Sequence, residues 1–149
     1  MSILYVLRTI VMYVYMFGYM LLLYGTLRRG EKALDAGDRE TVRRIVDTYV
    51  PRWCRGLLKA AGVQLIVEGR EHIPPSGAAV FVGNHRSYFD IPLMLVGLDK
   101  PHGILAKEEL AHIPLLSRWM RLLGCVYVQR DDVRGSLQAL KDASAVVGR

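Results

Sequence analysis

The sequence predicts an α/β protein in which N-terminal membrane-associated helices precede a mostly parallel sheet flanked by helices. Three observations lead there. The stretch from Thr9 to Leu27 carries no charge. Short runs of mainly β-branched, aromatic and other apolar residues, at 63–67, 78–83, 104–106 and 126–128, read as strands. Segments with helical spacing alternate with those runs, the order expected of helices laid against a parallel sheet.

Composition sets the frame. A chain of 149 residues can bury the core of one modest domain. Apolar residues make up 52% of it. The mean hydropathy of +0.20 is high for a soluble domain and points toward a membrane. The net charge of +6, from 20 Lys and Arg against 14 Asp and Glu, suits anionic lipid surfaces or phosphate-bearing ligands. No nucleic-acid motif is present, and the basic residues of the second half are not interleaved with stacking aromatics, so no nucleic-acid partner is expected. Cys54 and Cys125 are too few and too far apart for a disulfide framework or a metal site; they read as reduced thiols in a cytosolic setting.

The uncharged stretch is the first element. Its nineteen residues span about 28 Å as a helix, marginal for a hydrocarbon layer of about 30 Å. Tyr5, Arg8, Met12, Tyr15, Tyr19 and Thr26 share one helical stripe. That polar edge fits a helix embedded in one leaflet or packed on a partner helix, with spanning still open. Arg28, Arg29 and Lys32 follow the segment, while only Arg8 and the amino terminus lie at or before its start. The asymmetry puts the following domain on the cytoplasmic side of the membrane.

A polar connector is expected from Gly30 to Asp38. Asp38 can cap a second helix that stops at Gly62. Val42, Ile45, Val46, Tyr49, Val50, Trp53, Leu57 and Ala60 fall on one face, opposite Arg44, Thr48, Arg52, Arg55 and Lys59. Pro51 should kink this helix, because it removes a hydrogen bond and crowds the carbonyl of Asp47. A basic amphipathic helix bearing a Trp fits either the membrane surface or plain core packing with a solvated basic face. Residues 1–62 therefore read as a two-helix membrane-anchoring segment, and 63–149 as part of an α/β domain. In that second part, helices are expected at 91–98, 113–123 (stopped by Gly124) and 133–147.

Chemistry concentrates at Asn84-His85-Arg86-Ser87-Tyr88-Phe89-Asp90, between the predicted strand 78–83 and the predicted helix 91–98. Strand ends and helix starts are where α/β folds place reactive groups. A neutral imidazole can accept a proton from a hydroxyl. A carboxylate on its other nitrogen would fix the tautomer and stabilise the imidazolium. Five residues is the wrong separation for one face of a straight helix, and suits a tight loop turning into one. Asp90 with Ile91-Pro92 behind it also fits an ordinary N-cap with proline in the first turn.

Asn-His-x-Ser-x-x-Asp followed by Ile-Pro resembles the first sequence block of the glycerolipid acyltransferases, most closely the 1-acylglycerol-3-phosphate acyltransferases. Ala106-Lys107-Glu108-Glu109-Leu110, Ile113-Pro114 and Gly124-Cys125-Val126-Tyr127-Val128-Gln129-Arg130 resemble the second block. The resemblance covers roughly 63–149. It implies acyl transfer from acyl-CoA or acyl carrier protein to the sn-2 hydroxyl of 1-acylglycerol-3-phosphate. His85 would be the general base and Asp90 its orienter, with no metal and no cofactor beyond the acyl donor. Arg130 would hold the acceptor's phosphate. Lys107 is a weaker second candidate, and Asn84 and Ser87 shape the loop beside the substrate. Membrane lipids, the acyl donor and the lysophospholipid are the implied partners.

The family's later Glu-Gly-Thr-Arg block and its proline-bearing apolar block have no counterpart before Arg149. The resemblance is thus to the N-terminal part of such an enzyme, with a sheet and acceptor site incomplete at the C-terminus. Three alternatives stay open: another lyso-lipid acceptor such as a lyso-ornithine lipid, a hydrolase built on the same His–Asp pair, and an inactive membrane-anchored fragment that binds lipid or a partner.

Overall fold

The computed structural model describes residues 3–74, 79–99 and 103–128. These fall into two compact units, one of residues 3–70 and 84–99, the other of residues 71–74, 79–83 and 103–128.

The first unit is helical. Helix α1 spans Ile3–Leu22, α2 Tyr24–Asp35, α3 Arg39–Ala61 and α4 Asp90–Gly97. Only a small distortion at Leu23 separates α1 from α2. The bonds from Leu23 N to Tyr19 O and from Leu27 N to Leu23 O carry the helical ladder across it. The connector expected at Gly30 to Asp38 is therefore much shorter: α2 continues to Asp35, and 1–62 holds three helices rather than two. Gly30 sits inside α2, with Leu27 and Ala33 buried three residues to either side of it. These three positions lie on one face of the helix, and α2 packs on α3.

Helix α3 begins as its sequence dictates. Asp38 Oδ1 accepts from the backbone N–H of Thr41 at 3.0 Å, an N-cap. It ends at Gly62 in the left-handed region, where Val63 N donates to Leu58 O and Gly62 N to Lys59 O. The helix runs unbroken through Pro51. Val42, Ile45, Val46, Val50, Pro51, Cys54, Leu57 and Leu58 are buried, while Arg44, Arg52, Arg55 and Lys59 are exposed. The buried arc is wider than the predicted face because α3 packs with α1, α2 and α4 at once.

The polar stripe of α1 meets α3. Arg8 Nε donates to Ala60 O at 3.4 Å, the Tyr15 hydroxyl to Arg52 O at 3.4 Å, and Trp53 Nε1 to Met16 O at 3.2 Å. Gly56 makes room for this: a Cβ there would collide with the Tyr15 hydroxyl. The opposite side of α1 has no cover among the described residues. Ile3, Leu7, Ile10, Val14 and Leu21 are all more than half exposed. This helix is long and apolar enough to cross a membrane.

The second unit carries the sheet. Strand β1, Leu105–Lys107, pairs in parallel with β2, Val126–Val128, in the register Leu105 to Val126, Ala106 to Tyr127 and Lys107 to Val128. Between them a 3-10 segment, Glu108–His112, precedes helix α5, Leu116–Leu123. Ala106, Trp119, Met120 and Leu122 are buried here. Helix α5 starts later than the predicted 113. Ile113 precedes Pro114 and is held extended (φ −85°, ψ 111°), and Leu115 sits at φ 63° in a tight turn closed by Leu116 N to Pro114 O at 2.7 Å. Gly124 stops α5 as predicted, at φ 77°.

Two predicted strands are not formed among the described residues. Residues 63–67 alternate between half-buried and exposed, yet have no ladder partner among the described residues. Of 78–83, residues 79–83 have no regular structure, and Val80 and Val82 are 78% and 93% exposed. β-forming residues make a strand only when a neighbouring strand takes up their amides and carbonyls. The predicted helix at 133–147 lies outside the described residues.

Candidate active site

The turn before α4 gathers one reactive cluster. His85 Nδ1 lies 3.3 Å from Asp90 Oδ2. The same oxygen accepts the backbone N–H of Arg86 at 2.6 Å and that of Ser87 at 2.8 Å. Asp90 N donates to Ser87 O at 3.1 Å, closing a turn over 87–90, and Phe89 N donates to Ser87 Oγ at 3.2 Å. A five-residue separation is bridged because the loop folds back on the first residue of α4.

Asp90 therefore does not act as a downstream N-cap. It is the first residue of α4, and its carboxylate reaches backward to the loop instead of forward to the helix amides. Two features suit it to that role. Its position places a negative charge at the positive end of the helix. Pro92, buried in the first turn, lacks an N–H that would otherwise need a partner there.

The carboxyl is held below its ordinary range. The Ser87 amide contributes most and the Arg86 amide next; burial opposes them, and the charges of His85 and Arg86 add smaller help. Asp90 is thus ionised at neutral pH and available to the imidazole. The His85 side chain is 46% exposed, and Nε2 has no partner among the described residues. A neutral ring with Nδ1 facing a carboxylate and Nε2 open can take a proton from a hydroxyl.

The remaining site candidates are distributed unevenly. Ser87 belongs to the cluster through both its amide and its hydroxyl. Asn84 is exposed in the irregular segment just before His85. Lys107 ends β1 in the other unit, its ammonium paired with Glu109. Arg130 lies outside the described residues. Residue-type reasoning missed the two backbone amides on Asp90. The one signal for them was Asp90 itself, a short carboxylate of the kind that folds onto nearby backbone amides. No cluster of three or more His, Cys, Asp or Glu able to hold a metal occurs among the described residues.

Comparisons with known proteins converge. An acyltransferase family model matches residues 64–149. The chain is 32% identical over 79 residues to 1-acyl-sn-glycerol-3-phosphate acyltransferase of Borreliella burgdorferi, covering 53% of this chain and 32% of that one. It is 36% identical over 76 residues to the chloroplastic 1-acyl-sn-glycerol-3-phosphate acyltransferase LPAT1 of Arabidopsis thaliana, covering 50% and 21%. The crystal structure of the 1-acyl-sn-glycerophosphate (LPA) acyltransferase PlsC from Thermotoga maritima superposes with a TM-score of 0.61 at 27% identity, over 90% of this chain and 56% of that one. The matches to these two curated relatives thus span a third or less of their length.

Proposed function

This chain belongs to the acyltransferase family, and from that premise we propose that it serves transfer of a fatty acyl group from an acyl thioester to the sn-2 hydroxyl of 1-acylglycerol-3-phosphate, giving phosphatidic acid. The observation that carries this reading is the 3.3 Å approach of Asp90 Oδ2 to His85 Nδ1, with Nε2 left open. His85 Nε2 takes the proton of the acceptor hydroxyl as its oxygen attacks the thioester carbonyl. Asp90 holds the tautomer and stabilises the imidazolium. The tetrahedral adduct then collapses, the C–S bond breaks, and the departing thiolate recovers the proton from His85. General-base assistance of this kind is worth about 10²–10⁴-fold in rate.

Arg130 is the proposed ligand of the acceptor's phosphate, since a guanidinium can fork onto it. Lys107 could assist only by leaving Glu109, its present partner. The donor is acyl-CoA or acyl carrier protein, and no further cofactor is proposed. The uncovered apolar side of α1 supports docking at a membrane, with the basic residues after it favouring the cytoplasmic face.

The test is to supply the full-length protein in liposomes with acyl-CoA or acyl carrier protein and 1-acylglycerol-3-phosphate, alongside a lyso-ornithine lipid as competing acceptor. Phosphatidic acid formation that vanishes in His85→Ala supports the reading. Preference for the other lyso-lipid reassigns the acceptor. Release of free fatty acid without any acceptor makes the protein a hydrolase.

A further inference from the structure

We propose that Ser87 is a positioning residue for the His85–Asp90 pair, acting through its hydroxyl on the Phe89 amide rather than on the substrate; the inference rests on the acyl-transfer reading above. Four hydrogen bonds build the turn, and three of them are made by Ser87. Its carbonyl accepts Asp90 N, its amide donates to Asp90 Oδ2, and its Oγ accepts Phe89 N at 3.2 Å. Any residue but proline supplies the first two. Only a hydroxyl or comparable acceptor on Cβ supplies the third.

That third bond sits at the hinge of the arrangement. Phe89, at φ −74° and ψ −16°, is the N-cap position of α4, and its amide has no donor role within the helix. Ser87 Oγ gives that amide a partner two residues back, the geometry of a serine turn. The bond holds 87–89 curled so that the amides of Arg86 and Ser87 converge on one carboxylate oxygen. Asp90 Oδ2 then stays facing His85 Nδ1. Without the hydroxyl, Phe89 N–H turns to water and the curl loosens. The carboxylate keeps its charge but loses its fixed direction. The cost falls on proton transfer, which depends on alignment, more than on holding the acceptor.

Steady-state kinetics on the full-length protein with acyl-CoA and 1-acylglycerol-3-phosphate decide this, with His85→Ala as the reference for the dyad itself. Misalignment of a reacting group can cost up to about 10²-fold, so Ser87→Ala is expected to lower kcat about tenfold with the acceptor KM unchanged. Ser87→Thr, which keeps the hydroxyl, should recover turnover to within about threefold. Nitrogen NMR of the His85 ring should show a fixed Nδ1–H tautomer in the parent and a tautomer mixture in Ser87→Ala. Wild-type kcat in the alanine variant, a change confined to acceptor KM, or a threonine variant no better than alanine each overturns the proposal while leaving the dyad in place. Turnover surviving in His85→Ala overturns the acyl-transfer mechanism itself, a result the Ser87 variants cannot mimic.

Discussion

Arg8, in the second turn of α1, donates from Nε to the carbonyl of Ala60 in the last turn of α3, 3.4 Å away. The guanidinium occupies the space a side chain would take at Gly62, and Gly62 itself stands at φ 69°. Two effects therefore oppose substitution there. The left-handed backbone costs an L-residue about 1–2 kcal/mol, whereas the collision involves only the far end of a flexible side chain. We expect Gly62→Ala to lose about 1–2 kcal/mol, read from the denaturant midpoint in detergent. Adding Arg8→Ala should restore little of it. A full recovery in the double variant would assign the cost to the collision instead.

Cys54 is wholly buried in α3, and burial pushes its thiol up to about 12. The thiolate is the reactive form, so almost none is present at neutral pH. A disulfide reagent at pH 7.5 should leave Cys54 unmodified in the folded protein and label it only after denaturation. Rapid labelling under native conditions would mean that α3 opens locally far more often than its packing suggests.

Where the signal was local, the sequence showed the structure well. Asp38 and Gly62 bracket α3, Gly124 ends α5, and the periodic faces of α3 were legible from spacing, because caps and helical faces depend on residues a few positions apart. The site was legible in part. His85 and Asp90 could be paired from a motif and a proton-transfer argument, but the amides that fix Asp90 carry no residue type to notice. Strands were the weakest point. Residues 79–83 look like β2 in composition, yet only β2 finds a parallel neighbour among the described residues. Pairing between distant segments is not written in the local composition. Helix α4 offers a similar case. It packs on α3, so the site's helix and the N-terminal helices lie in one unit.

The dyad predicts unequal losses. His85→Ala removes the base and should bring acyl transfer to background. Asp90→Asn keeps the ring but loses tautomer control, so a small residue of activity should remain, a smaller loss than removing the base, whose assistance is worth about 10²–10⁴-fold. Initial rates of phosphatidic acid formation measure both. Equal and partial losses in the two variants would argue against separate base and orienter roles.

Asp90 also makes a prediction about pH. Its folded carboxyl is held below the unfolded value of about 3.9, so its stabilisation is fully present above that value. The contribution is lost only as pH falls through the lowered folded value. The stability gap between the parent and Asp90→Asn should therefore persist from pH 7 down to about 5 and should close below about 4. Denaturant titrations at stepped pH follow it. A gap that closes near pH 6 would mean that the amides of Arg86 and Ser87 do not hold the carboxylate in solution. An acid limb of the activity profile well above pH 4 does not come from Asp90.

Membrane docking is best tested by single charges on α1. Deleting 1–62 would remove α3 and uncover Leu95 and Pro92 of α4, so loss of binding and loss of the fold would be confused. Val14 avoids that problem: it is 67% exposed and lies among the uncovered apolar residues. A charged residue placed in hydrocarbon at a helix centre costs about 2.5–3.5 kcal/mol, and less near the interface. At about 1.4 kcal/mol per tenfold, Val14→Glu should weaken flotation with anionic liposomes about ten- to a hundredfold. Its helical circular dichroism in detergent should stay at the parental level, since Val14 packs against little. Met20→Glu gives the contrast, because Met20 is 4% exposed and a buried unpaired charge there should disrupt packing of the first unit itself. If Val14→Glu floats as well as the parent, the uncovered side of α1 does not enter the lipid, and the basic face of α3 becomes the surface to test next.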